Sequence, residues 1–358
     1  MKKNFLPVLL IVFLLIGLAL AACAPASTET PTLTVMTHDS FAVSVDLVKQ
    51  FEDTHHVKVV FVPAGDAGSL LNRAILTKDS PQADVLYGVD NTFLSRALNE
   101  ELFVKYHSPL LASIPDEFKL DAGERALPVD YGDVCINYDK AYFASHALAL
   151  PQTLNDLLKP EYGQQAGSDG LLVVENPATS SPGLAFLLAT INEFGEDSYL
   201  QFWQALKDNG VVVASDWNAA YYTNFSGSSG KGAQPMVVSY ASSPAAEVIY
   251  AAEPTTEAPT ASITAAGMCY RQVEFVGILK GTQHLKLAQQ FVDFMLGVDF
   301  QQDVPLQMFV YPVNSQAQLP EAFTLYAQTA SAPVTLGPAL IDANREKWIQ
   351  AWTEVMFK

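Results

Sequence analysis

The stretch 33–91 carries LTVMT at 33–37, VKVVFV at 57–62 and ADVLYGV at 83–89, three short apolar runs rich in β-branched residues. Between the first two, Val43, Leu47 and Phe51 recur every fourth residue, so 42–53 is expected to form an amphipathic helix. SLLNRAIL at 69–76 predicts a second helix, and 91–100 a third with Asn91 as its cap. Strand and helix alternating in this way is the signature of a mostly parallel sheet with helices on its faces.

The same alternation returns downstream. Strands are expected at 171–174, 211–214 and 236–240, helices at 182–194 and 200–208. A further strand at 273–279, a helix at 285–295 and a closing helix at 345–356 follow. Residues 252–266, rich in Pro, Thr and Ala, read as a surface loop. A chain of 358 residues has room for about two domains. The expected division puts 32–128 with 242–298 in one lobe, and 129–241 with 299–358 in the other.

The N-terminus sets the compartment. Lys2 and Lys3 precede an apolar run from Phe5 to Ala22, which ends in Leu20-Ala21-Ala22-Cys23. That ending resembles the bacterial lipoprotein signal, which implies cleavage of 1–22 and lipidation of Cys23. An ordinary signal peptide or a simple anchor is the alternative. APASTETP at 24–31 then reads as a tether. The expected location is the periplasm or cell surface, with the lipid as the membrane contact. No later run is long and apolar enough to span a bilayer, which argues against a channel. The formal charge of −18 argues against a nucleic-acid binder, which needs a basic face. It also argues against docking on anionic lipid through a polybasic patch. Cys135 and Cys269 can pair in an oxidising compartment or stay as two buried thiols.

Two α/β lobes on an exported, tethered chain suggest a solute-binding protein that holds its ligand in the crevice between lobes and closes by a hinge. Ligands of parallel sheets sit beyond the carboxyl ends of the strands. The loops there are informative. THDSF at 37–41, GDAGS at 65–69 and GVDN at 88–91 each place a carboxylate at a turn that opens a helix. Capping accounts for Asp, Ser and Asn singly, but not for three acids at one end of one sheet. Ser180 or Ser181 before Pro182 reads as a helix start, able to cap and also to face an acceptor group. Trp217 and Tyr221 lie four apart, and Tyr240 leads a hydroxyl-rich turn. Phe309 and Tyr311 add rings in a late loop. Aromatic faces with carboxylates suit a flat organic cation.

Catalytic patterns fail. GSSGKG at 227–232 has Phe225 where a phosphate loop needs its first Gly and Gly232 where it needs Ser or Thr. His55 and His56 are adjacent, and no GxSxG elbow occurs. The reading is therefore a binding protein with no catalytic residues, no cofactor and no resident metal.

At these residues the sequence resembles the periplasmic thiamine-binding family of bacterial ABC importers. The likeness rests on THDSF at 37–41, SLLNR at 69–73, ADVLYGVDN at 83–91 and VDYGDVCINYDK at 129–140. It continues through TSSPGL at 179–184, the W-x-x-x-Y pattern of Trp217 and Tyr221, SYASSP at 239–244 and YPV at 311–313. The resemblance implies a two-lobed α/β periplasmic-binding-protein fold of type II. It also implies a monomer that delivers thiamine, or its mono- or diphosphate, to a permease driven by an ATPase. It places ligand contacts at Asp66 and Ala67, at Ser180 and Ser181, and at Trp217. The tyrosine-led loop Tyr240, Ala241, Ser242, Ser243 and Pro244 completes the implied set. His38 stands where the family commonly has an aromatic, and Phe309 where it has a Trp. From the loop reading, His38, Asp39 and Tyr221 join the candidates. Two rivals share the fold: a ferric-iron receptor using Tyr221, Tyr222, His38 and Asp66 as hard ligands, and a polyamine receptor.

Overall fold

A computed structural model describes residues 30–164, 169–228 and 231–358; the signal segment and Cys23 lie outside the described residues. The chain opens with β1 (Thr32–Thr37), α1 (Val45–His55), β2 (Lys58–Pro63), α2 (Ala67–Leu76), β3 (Val85–Asp90) and α3 (Leu94–Asn99). A short β4 (Phe103–Val104) leads to the 14-residue β5 (Ala126–Asp139) and α4 (Lys140–Ser145). The second series is β6 (Leu172–Glu175), α5 (Ser181–Phe194), α6 (Tyr199–Asp208), β7 (Val212–Ala214), β8 (Met236–Tyr240) and α7 (Ser243–Ile249). Then come β9 (Thr260–Ile263), β10 (Tyr270–Leu279), α8 (Leu285–Leu296), α9 (Val298–Gln307), β11 (Tyr311–Pro312), α10 (Glu321–Tyr326) and α11 (Pro338–Phe357).

The strand order is β2-β1-β3-β10-β5-β8-β6-β7. Two parallel trios, β2-β1-β3 and β8-β6-β7, flank the sheet. Between them run β10 and β5, antiparallel to each other and to their neighbours. β10 pairs with β3 at one end, and β5 with β8 and β9 at the other. These two long strands therefore carry the chain from one trio to the other. Cys135 of β5 and Cys269, just before β10, are joined in a disulfide that ties these strands together. The pairing left open by the sequence is thus formed.

Apolar patterning explains the layers. α5 is buried on nearly every side, from Ser181 to Ile191, and packs on β10, β8, β5 and β6. Each of its buried leucines stabilises the fold by about 1.5–3 kcal/mol relative to exposure. α11 packs on both α6 and α3, with Trp352 edge-on to Trp203. Among the described residues no helix is long and apolar enough to cross a membrane.

Three expectations change. Asn91 does not cap α3, which begins at Leu94. Its side chain instead mimics a strand, donating to Arg271 O (3.1 Å) and accepting from Val273 N (3.0 Å). The segment 252–266 contains β9, paired with Ile136–Asp139. The closing helix starts at Pro338, seven residues earlier than the sequence pattern, with Pro in its first turn.

Candidate functional site

The carboxyl ends of β1, β2, β3, β6, β7 and β8 converge on one cleft. Asp66 is the N-cap of α2, accepting from Ala67 N at 2.8 Å. Asp39 accepts from Gly65 N (2.8 Å), binding the first loop to the second. Asp90 accepts from Thr92 N (2.6 Å) and from the Ser181 hydroxyl. The three acids expected at one sheet end are therefore at the same end of the sheet, Asp66 and Asp90 bonded within their own loops and Asp39 to the loop after β2.

The cleft has two chambers. The inner one, about 40 Å³, is lined by His38, Asp66, Trp217, Tyr240, Ser243, Glu274 and Phe309, among others. That is space for little more than one water, so a heterocyclic ligand can enter only if the walls part. The outer chamber, about 260 Å³, shares Ser40, Asp66 and Trp217 and adds Asp39, Thr179 and Asp216.

Beneath the inner chamber lies a buried polar network. Tyr87 donates to Glu274 Oε2 (3.0 Å) and to Asp130. Gln272 Nε2 donates to the Tyr240 hydroxyl (2.8 Å). His38 Nε2 is 3.6 Å from Glu274 Oε2. Burial opposes charge on both partners of this pair, but their mutual attraction wins. The imidazole pKa is raised and that of Glu274 lowered. Asp130, by contrast, is pushed well above the carboxylate range by burial and by the Glu274 charge. Asp66 is raised by burial, and Asp90 is raised to about 7 by the same cause. Asp66 Oδ2 is buried without a hydrogen-bond partner, beside an equally unpartnered Ser180 hydroxyl.

Two glycines permit this crowding. Gly88 has φ +104°, and a Cβ there would lie 2.3 Å from His38 Cδ2. At Gly132 a Cβ would lie 2.7 Å from Tyr240 Cδ1. Phe309, at φ 58°, holds the left-handed conformation uncommon for a bulky side chain, and its ring meets Tyr250 edge-on.

The expected residues divide into lining and support. His38, Asp66, Trp217, Tyr240 and Ser243 line the inner chamber, and Asp39 the outer. Trp217 is held by a bond from Nε1 to Ser239 Oγ (2.9 Å). Tyr221 lies behind it, stacked at 5.0 Å, with its hydroxyl donated to Glu247 (2.9 Å). Ala67, Ala241 and Ser242 are buried, with Ala241 packed against the disulfide. Ser180 and Ser181 are buried at the start of α5; Ser180 occupies the cap position without making the side-chain bond expected of it. Pro244 is buried in the first turn of α7. Tyr311 packs against Tyr131 and Phe323, away from both chambers. Glu274, Met308 and Asp216 line the cleft and were not anticipated.

The iron-ligand set does not converge. Tyr221 is buried against Glu247, whereas Tyr222 is 40% exposed with its ring at 83° to that of Tyr221. Neither lines the chamber that holds His38 and Asp66.

Known proteins agree with this architecture. Residues 80–328 match the model of the bacterial extracellular solute-binding protein family. Over 357 residues the chain is 31% identical to the thiamine-binding periplasmic protein of Salmonella typhimurium, covering 98% of each chain. It is 30% identical to that of Escherichia coli, again over 98% of each. It superposes on a solved periplasmic thiamin binding protein with a TM-score of 0.78 and 28% identity, covering 93% of this chain and 98% of that one. Iron-bound HitA from Pseudomonas aeruginosa superposes with a TM-score of 0.72 at 21% identity, over 91% of this chain and 99% of its own, a likeness of fold alone. The fold is thus that of the two-lobed periplasmic binding proteins, and the chain belongs to the bacterial extracellular solute-binding protein family.

Proposed function

We propose that this chain is the extracytoplasmic receptor of an ABC importer and traps thiamine, or a phosphate ester of it, between its lobes. The observation that carries the reading is the pairing of aromatic and acidic groups on one small chamber: Trp217 and Tyr240 with Asp66 and Glu274. A thiazolium is a permanent cation, so it gains from carboxylates and π-faces together. An aminopyrimidine is flat and carries donors and acceptors, so it gains from stacking and from the Asp66 and Ser180 oxygens. Relatives named for thiamine binding, matched along nearly the full length, support the same ligand.

In this reading the lobes move about β5 and β10, which are the long strands common to both. The pairing of β9 with the far end of β5 argues that 242–269 travels with the second lobe. Lipid on Cys23 would hold the receptor at the membrane, as a monomer, within reach of the permease and its ATPase.

Titration calorimetry of the chain from Thr32, unfolded and refolded to remove any bound ligand, tests the reading. Thiamine is expected to bind one-to-one and to quench tryptophan fluorescence. Trp203, Trp348 and Trp352 are buried elsewhere, so the quench should report on Trp217. Heat with spermidine or ferric citrate and none with any thiamine species would refute the ligand while leaving the receptor role.

A further inference from the structure

We propose that α11 is a strap across the two parallel trios, fixed to the second and released by the first, so that α3 parts from α11 whenever the cleft opens. That the cleft opens by movement of the lobes rests on the receptor reading above; the strap adds which contact yields.

Topology sets the constraint. α3 follows β3 of the first trio, and α6 lies between β6 and β7 of the second. α11 packs on both helices. Just before it, Val334 is pinned to the start of the crossing strand β10. Its N–H donates to Cys269 O (2.7 Å), and its carbonyl accepts from Arg271 N (2.9 Å). A helix of 20 residues is a rod about 30 Å long. Packed on helices of both trios, such a rod cannot keep both contacts when the trios move relative to each other. The inner chamber of about 40 Å³ requires that movement before a heterocycle enters. One of the two contacts must therefore slip.

The contacts are unlike. The buried face of α11 carries Ile341, Arg345, Trp348, Trp352 and Met356. Towards α6 the contact is apolar and well anchored. Trp352 is fully buried and meets Trp203 edge-on at 5.5 Å. Lys207 Nζ donates to Val355 O (2.7 Å), and Lys347 pairs with Glu196 at 3.1 Å. Towards α3 the buried face presents a cation. The Arg345 guanidinium lies over the Phe93 ring at 5.3 Å, with its side chain 4% exposed. Among the described residues its Nε and Nη1 find no acceptor. Its Nη2 donates to Glu346 of the same helix (2.9 Å). Asn99 Nδ2 adds a bond from α3 to Asp342 Oδ2 (2.9 Å) on the exposed surface. Trp352 Nε1 also lacks an acceptor, but it is one neutral donor. A cation buried with two donors unsatisfied weakens the contact that buries it, because parting returns those donors to water. The α3 contact is thus the easier one to break.

The test compares two covalent locks on the chain from Thr32, each joining an exposed pair with a short bis-maleimide. Asn99→Cys with Asp342→Cys ties α11 to α3. Glu196→Cys with Lys347→Cys ties α11 to the loop that leads into α6. Cys135 and Cys269 are bonded to each other and buried, so the reagent meets the introduced pair alone. The readouts are thiamine release, followed by tryptophan fluorescence, and acrylamide quenching of Trp217 in the ligand-free chain. The first lock should slow release at least about ten-fold and shield Trp217. The second should leave both as they are in its uncross-linked form. Arg345→Met keeps the reach of the side chain and removes the buried charge, so it should also slow release, by less than the lock. Equal effects of the two locks, an effect of the second alone, or no effect of either would overturn the strap. A native release rate in Arg345→Met would overturn the part given to the guanidinium. Thiamine that binds no form of the chain would refute the ligand reading, and acrylamide quenching would still decide the strap.

Discussion

The cleft wall built at the carboxyl ends of β1, β2 and β3 is acidic, and the wall built after β7 and β8 is aromatic. Asp39 and Asp66 line the first, with Asp90 buried and bonded to Ser181; Trp217 and Tyr240 line the second. Glu274 of β10 and His38, just past the end of β1, face each other in the same chamber. Neither wall alone distinguishes an organic cation from other solutes. A carboxylate cluster attracts any cation, and a lone indole stacks on any flat ring. A chamber of about 40 Å³ between them forces both tests at once, since a ligand is desolvated only when the walls meet around it. Desolvation is what makes each contact strong.

The comparison breaks first at Trp217. Trp217→Ala should cost at least about 2 kcal/mol of thiamine binding, as central aromatic anchors do. Tyr221→Phe, one ring further back, should change affinity by less than about two-fold, because its hydroxyl serves Glu247 rather than the chamber. Calorimetric dissociation constants decide this: equal losses in the two variants would merge both rings into one wall. On the acidic side, Glu274→Gln keeps the acceptor for Tyr87 but removes the charge. It should weaken thiamine about ten-fold, or about 1.4 kcal/mol, while binding of an uncharged flat analogue is unaffected. Equal weakening for both ligands would show that Glu274 only shapes the floor.

What the sequence revealed follows from where each residue sits. Asp39, Asp66, Trp217, Tyr240 and Ser243 lie at or just past strand ends, where polar and aromatic residues break an apolar run and mark themselves. Glu274, Gln272, Asp130 and Tyr87 lie inside β10, β5 and β3, where no local pattern separates a functional residue from a strand residue. The strand β5 escaped for the same reason. Asp130, Asp133, Asn137 and Asp139 interrupt it, and in isolation they argue against a buried strand. Their partners come from distant parts of the chain. Asp133 pairs with Arg271, and Asn137 donates to Tyr240 O (3.0 Å). Asp130 meets Tyr87, and Ser226 donates to Asp139 (2.7 Å). Ser180 was legible as a helix start but not as a buried hydroxyl beside Asp66, since that depends on a loop more than a hundred residues away in the chain.

The walls also differ in what they cost the fold, and Asp90 is where this is measured. It is fully buried, and burial raises its pKa from 3.8 to about 7. Between those values the folded chain holds a proton that the unfolded chain has released. Stability therefore falls as pH rises through this window and stays low above it. Asp90→Asn keeps an acceptor for Thr92 N, turns its amide N–H towards the Ser181 hydroxyl oxygen, and removes the ionisation. Denaturant unfolding should find the variant about 1 kcal/mol more stable than the native chain at pH 8, with the difference closing towards pH 5. The aromatic wall has no such term, so Trp217→Phe should leave the pH dependence of stability as it was. If Asp90→Asn loses stability at every pH, the Asp90–Ser181 contact holds the lobes together in its charged form. The acidic wall would then support the fold rather than strain it.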